Sequence, residues 1–225
     1  RESTMLRYRY AEPLVMLAER SLPGSMIVDQ TGSRFVNEST DYMSFGQRVL
    51  ELNRSGNPVS AMWIVFDQAY RNSYVFAADL FPRMAIPETW YAAGIAHRSD
   101  SLTELGRKMG VPEAQFVRTT SRFNDMARQG EDVDFGRGGT AYDRYYGDPT
   151  VRPNPNLRPI DQGPFYAVKM VLSDLGTCGG LRADERARVL REDGTPIGGL
   201  YAIGNTAANA FGASYPGAGA TIAQG

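Results

Sequence analysis

The stretch FGASYPGAGATIAQG at 211–225 sets one tyrosine hydroxyl, Tyr215, close to glycines at 217 and 219. Glycines at this spacing let backbone N–H groups come close to a ligand, and a helix start collects negative charge or polar oxygens. The stretch therefore reads as half of a binding site. Two phosphate-binding patterns are excluded: position 222 is Ile, which breaks Gly-x-Gly-x-x-Gly, and no Gly-Lys-Ser/Thr occurs. Upstream, Gly204 and Asn205 close the short apolar run GLYAIGN (199–205) at a turn. On spacing alone, such glycines equally well punctuate loops. Tyr42, in NESTDY (37–42), precedes an apolar helix and is one of 12 tyrosines; its residue type alone suggests packing.

Composition narrows the chemistry. The 225 residues, 42% hydrophobic, suffice for one large domain or two modest ones. A net charge of −1 gives no electrostatic reason to expect nucleic acid or an anionic membrane. The single cysteine, Cys178, forms no internal disulfide, and no Cys/His cluster suggests a metal. With His97 as the only histidine, Ser-His-Asp chemistry is disfavoured. His97 itself reads as a solvated loop residue. No run approaches the roughly 20 apolar residues of a membrane span. The chain begins with Arg1, shows no signal peptide, and reads as a fragment cut at both ends.

The elements that must position these groups are legible in part. SMIV (25–28), a turn at Asp29–Gly32 and RFVN (34–37) suggest a β-hairpin, followed by a helix from Thr40 to Asn53. AMWIVFD (61–67) is a continuous apolar run suited to a buried strand. Ser101 with Glu104 three residues on forms a capping-box signal for a helix ending at Gly110. Pro112 opens a second helix that stops at Gly130. Residues 131–164 are rich in Gly, Pro, Asp, Asn and Tyr and predict a long loop, within which YDRYYGDP (142–149) is read as structural in preference to a substrate wall. Strands are predicted at 165–172, 188–193 and 199–205. The fold class expected is α+β.

Four strings, SMIVDQTGSRFVNES (25–39), PFYAVKMVLSDLGTCGGLRADERARVL (164–190), GLYAIGN (199–205) and SYPGAGATI (214–222), together resemble the FAD-dependent 3-ketosteroid Δ1-dehydrogenases. These belong to the fumarate reductase/succinate dehydrogenase flavoprotein superfamily. The resemblance runs over nearly the whole chain. It implies FAD as cofactor and a discontinuous Rossmann-like FAD domain interrupted by a substrate-binding catalytic domain. The chain would supply a connection at 1–24, the catalytic domain at 25–165 and the C-terminal FAD-domain segment at 166–225. The N-terminal FAD-binding half, with its Gly-x-Gly-x-x-Gly, is not in the sequence, so the isolated chain is expected neither to retain FAD nor to turn over.

The resemblance also assigns roles. Removing a proton beside a ketone requires the carbonyl to be polarised, and a good oxyanion-hole donor is worth about 3–4 kcal/mol. The Tyr215 hydroxyl and the Gly219 N–H would be those donors. Tyr42 would take the proton, while a hydride passes to FAD N5. A tyrosine with pKa about 10 is a poor base at neutral pH without a neighbouring hydroxyl or positive potential. Gly204 and Asn205 would contact the ribityl and pyrophosphate region of FAD, and Ala220 and Thr221 the pyrimidine edge. Cys178 stands where relatives more often carry lysine. The partners implied are a 3-ketosteroid and an external electron acceptor, without nucleic acid or metal. The localisation implied is cytoplasmic, with membrane association as the alternative. The neighbouring readings are a 3-oxosteroid Δ4-(5α)-dehydrogenase, a fumarate-reductase-like flavoprotein and a truncated, non-catalytic chain.

Overall fold

The computed structural model describes residues 14, 16, 18–173, 179–212, 217 and 219. They fall into two compact units, one formed by Arg1–Thr40 with Gln47–Val171 and one by Asp41–Gly46 with Leu172–Gly225.

The first unit is built on a four-stranded antiparallel sheet of order β1-β2-β4-β3, with β1 at Ser25–Asp29, β2 at Met62–Asp67, β3 at Ala96–Ser99 and β4 at Phe165–Met170. Every residue of β2 is buried. That explains why its sequence is a continuous apolar run rather than an alternating one. The register pairs Met26 with Val65 and Val28 with Trp63. This face packs against Leu105, Phe116 and Phe123 of α4 (Leu102–Met109) and α5 (Glu113–Gln129). On the opposite face Phe66 meets Tyr70, Phe76 and Tyr166 at ring separations of 4.9, 4.9 and 5.5 Å. Tyr70 belongs to α2 (Gln68–Ser73), which Asp67 caps by accepting the Tyr70 N–H at 2.9 Å.

The helix signals at 101–130 hold. Ser101 Oγ accepts the Glu104 N–H at 3.4 Å, and Gly110 and Gly130 both end their helices in the left-handed conformation. The helix expected from Thr40 is α1, Tyr42–Arg54. A short helix, α3, spans Glu88–Ala92, and another, α6 (Ala141–Tyr145), interrupts the stretch read as loop.

Two expectations change. RFVN (34–37) is not a strand: β1 pairs only with β2, and residues 34–36, 38 and 39 are buried without sheet partners because Arg34 and Glu38 turn inward to an ionic cluster. His97 lies on β3, not in a solvated loop, with its ring 5.1 Å from that of Trp63. Burial, aided by Lys108, holds its pKa below the usual imidazole value. Phe165–Met170 is hydrogen-bonded between β2 and β3, within the first compact unit, which runs to Val171.

In the second unit, β5 (Arg188–Leu190) and β6 (Pro196–Tyr201) form an antiparallel ribbon. A 3-10 turn, Gly204–Thr206, follows. Mixed helix and antiparallel sheet make the chain α+β. Among the described residues no helix is long and apolar enough to cross a membrane, and no group of three metal-ligating side chains occurs.

Candidate active site

Tyr42 is the first residue of α1. The sequence sets it there because Asp41 acts as the cap: its Oδ1 accepts the Ser44 N–H at 2.8 Å, its Oδ2 accepts the Ser44 hydroxyl at 2.6 Å, and its carbonyl accepts the Phe45 N–H at 3.0 Å. The Tyr42 side chain is half-buried. The positive end of a helix favours a nearby anion by about 0.3–1 kcal/mol. The adjacent Asp41 carboxylate opposes that effect. The helix start therefore contributes to a tyrosine base without being sufficient for one.

The first turn of α1, Asp41–Gly46, belongs to the same compact unit as the C-terminal segment that carries the glycine turns. There β6 ends at Tyr201, and Gly204 turns the chain with φ +56°. The N–H groups of Gly204 and Asn205 have no partner among the described residues, and the Asn205 side chain is exposed. Further on, Gly217 and Gly219 have φ of +140° and +88°, and a Cβ added to either would meet nothing within 4 Å among the described residues. A glycine at positive φ lets a polar oxygen approach the backbone closely. The donors at Gly204 and Asn205 thus suit the ribityl or phosphate oxygens of a flavin dinucleotide, and Gly219 suits a carbonyl oxygen. Tyr215, Ala220, Thr221 and Cys178 lie outside the described residues; Tyr42, Gly204, Asn205 and Gly219 are described and fall within the same compact unit.

The sequence reading missed the cluster directly upstream of Tyr42. Arg34 is gripped from two sides. Its Nε and Nη2 donate to Glu38 at 2.8 and 2.7 Å, and its Nη1 and Nη2 donate to Asp132 at 3.0 and 2.7 Å. Arg137 Nη1 stands 3.3 Å from Glu38 Oε2, completing two cations against two anions. Phe123 and Phe135 lie beneath the Arg34 guanidinium at 5.2 and 4.9 Å. Glu38 is fully buried. Burial alone would push its pKa up, but Arg34 and Arg137 outweigh that and hold it below the carboxylate range. Asp132 is lowered likewise: burial opposes, and the Arg34 hydrogen bonds prevail. The signal available in the sequence was Arg-x-x-x-Glu flanked by Phe and Val, with the other two charges in a Gly/Asp-rich loop.

Residues 4–222 match the family model described as FAD binding domain. The chain is 49% identical over 93% of its length to a 3-oxosteroid 1-dehydrogenase of Mycolicibacterium smegmatis, spanning 37% of that protein. It is 46% identical over 94% of its length to a 3-oxosteroid 1-dehydrogenase of Mycobacterium tuberculosis, spanning 38% of it. Among solved structures it resembles the 3-ketosteroid Δ1-dehydrogenase of Sterolibacterium denitrificans in complex with 1,4-androstadiene-3,17-dione. The TM-score there is 0.86 at 39% identity, covering 93% of this chain and 38% of that one. The chain thus spans well under half the length of the relatives it matches.

Proposed function

We propose, from the premise that this chain belongs to the FAD binding domain family, that it is the substrate-binding and C-terminal flavin-binding portion of a 3-ketosteroid Δ1-dehydrogenase. The observation that carries the reading is the close structural likeness, over nearly the whole chain, to the Sterolibacterium enzyme that holds a 1,4-dien-3-one. Residues 25–165, with the remainder of β4, serve as the catalytic domain, and the segment from 172 onward returns to the flavin domain.

In this reading the bound flavin supplies a hydride acceptor. The chain supplies the rest. Gly219, bare of a side chain and open around its α-carbon, offers its N–H to the steroid C3 carbonyl oxygen, and Tyr215 offers its hydroxyl to the same atom. The two donors acidify the C2 proton by stabilising the oxygen charge that develops as that proton leaves. Tyr42 takes the proton. A tyrosine is a poor base at neutral pH, so a second hydroxyl must share the proton, and in the resemblance that hydroxyl comes from outside this chain. Gly204 and Asn205 would hold the cofactor through N–H groups that have no partner among the described residues. An external acceptor reoxidises the flavin.

The test uses the full-length, FAD-loaded protein without oxygen. Adding a 4-ene-3-ketosteroid should bleach the visible absorbance of oxidised flavin and yield the 1,4-diene. Bleaching by a 5α-saturated 3-ketosteroid with a 4-ene product, and none by the 4-ene, would move the activity to the Δ4-(5α) class. No bleaching by either would refute a ketosteroid dehydrogenase.

A further inference from the structure

The four buried charges invite a question that stability does not answer. A buried ion pair is often no better for stability than well-packed apolar side chains of the same volume, and its best-attested use is to fix one arrangement of the chain. The cluster here joins segments far apart in sequence. Arg34 reaches Asp132 across 98 residues, and Arg137 donates to the carbonyls of Ser25 at 2.6 Å and Leu22 at 2.9 Å. Glu38 Oε1 accepts the Ile27 N–H of β1 at 3.1 Å, and the Glu38 carbonyl accepts from Arg20. Asp132 also accepts the N–H of Arg137 at 3.2 Å, so both carboxylates anchor backbone as well as guanidinium.

Several of these links end on residues 34–39, through Arg34 and Glu38. The side chains bracketing that stretch are held too: Asn37 Nδ2 donates to Asp143, the Ser39 N–H donates to Asn37 Oδ1, and Asn156 Nδ2 donates to Ser39 Oγ. The second turn of α1 is tied back to the same stretch, Arg48 Nε donating to the Phe35 carbonyl at 3.2 Å. Glu38 is four residues before Tyr42, which begins that helix. The chain into the helix is thus held at its side chains, its backbone and its following turn.

We propose that the Arg34–Glu38–Asp132–Arg137 cluster is a positioning device for Tyr42, fixing the start of α1 so that the phenol oxygen stays within reach of the substrate proton. The proposal rests on Tyr42 being the base. Arg34 is the pivot because only its planar fork can engage two carboxylates at once. Arg34→Lys keeps the charge and loses the double fork. Asp132→Asn keeps the shape and loses one anion.

Both variants are to be made in the full-length flavin-loaded enzyme, with Tyr42→Phe in parallel. Measured are flavin content, melting temperature, and kcat per bound flavin apart from KM. A displacement of about 1 Å at a reacting group can cost on the order of 100-fold. The expected result is a 10- to 100-fold fall in kcat per flavin in Arg34→Lys and Asp132→Asn, with KM within about threefold of the parent. Restoring Arg at 34 returns kcat. A cluster serving stability alone would lower melting temperature or flavin content and leave kcat per flavin at the parent value, which overturns the proposal. If either variant fails to fold, the other decides. An active Tyr42→Phe overturns the base assignment and the positioning role together. An inactive Tyr42→Phe alongside parent-like kcat in Arg34→Lys and Asp132→Asn overturns the positioning role alone.

Discussion

Substituting alanine for Gly219 and, separately, for Gly217 separates a catalytic glycine from a conformational one. Both residues lie in the positive-φ region, and neither would bring a Cβ within 4 Å of another group. The cost to the fold is therefore backbone strain without collision. Alanine at the +88° of Gly219 costs about 1–2 kcal/mol. The +140° of Gly217 lies closer to a region that only glycine visits freely, and costs about 1–3 kcal/mol. Strain alone thus predicts at least as much damage at Gly217. The oxyanion role predicts the opposite, since a methyl at Gly219 occupies the approach of the C3 oxygen. Loss of one such donor is worth about 2.7–4 kcal/mol, or 10²–10³ in kcat. Rapid anaerobic mixing of flavin-loaded enzyme with a 4-ene-3-ketosteroid gives the rate, and urea unfolding gives the strain. Gly219→Ala should lose at least 100-fold in rate with the smaller stability change. If Gly217→Ala loses more activity than Gly219→Ala, so that rate follows strain, the oxyanion assignment is refuted.

Three further outcomes are expected. Gly110 and Gly130 end helices at φ of +73° and +80°, but a Cβ at Gly130 would stand 2.1 Å from Pro153 Cγ while Gly110 faces open space. Gly110→Ala should cost about 1 kcal/mol and Gly130→Ala clearly more, read from urea midpoints; equal losses would mean Pro153 yields freely. Phe123, fully buried against the sheet and beneath Arg34, should cost about 3–5 kcal/mol as alanine by the same measurement. Glu38 and Asp132 have folded-state pKa values below their ordinary 4.5 and 3.8. Their contribution is present in full above those ordinary values and is lost as pH falls through the depressed ones. The urea midpoint should therefore drop steeply below about pH 4, and Asp132→Asn should make the drop shallower.

Much of the first unit was legible because its signals are local. Ser101, Gly110, Pro112 and Gly130 punctuate α4 and α5 by capping chemistry contained within a turn or two. The β2 run needed no partner to be recognised, because full burial shows as unbroken apolarity. RFVN misled for the opposite reason: a short apolar stretch after a turn mimics the return strand of a hairpin, whereas Arg34 and the following Glu38 turn inward to Asp132 and Arg137 about 100 positions away. Long-range neutralisation leaves no periodic trace. His97 misled similarly, since its neighbour Trp63 is 34 positions upstream and reaches it only across the sheet. For the site, residue types at Tyr42 and Gly219 were suggestive, but their roles came from resemblance, and what the structure adds is the Asp41 cap and the open glycine backbone.

The ionic cluster also sets a timetable. Helices α4 and α5 close on contacts a few residues apart, whereas Arg34 and Glu38 wait for partners 98 positions later in the chain. At about 5–20 residues per second of synthesis, that interval is on the order of 5–20 seconds. During it, two apolar neighbours, Phe35 and Val36, and the Arg34–Glu38 pair remain without their final surroundings. Contacts of such sequence separation tend to close after the main folding barrier. Weakening them should hasten unfolding and leave refolding rates little changed. The lifetime of the folded protein, more than the speed of reaching it, is therefore what Asp132 and Arg137 govern.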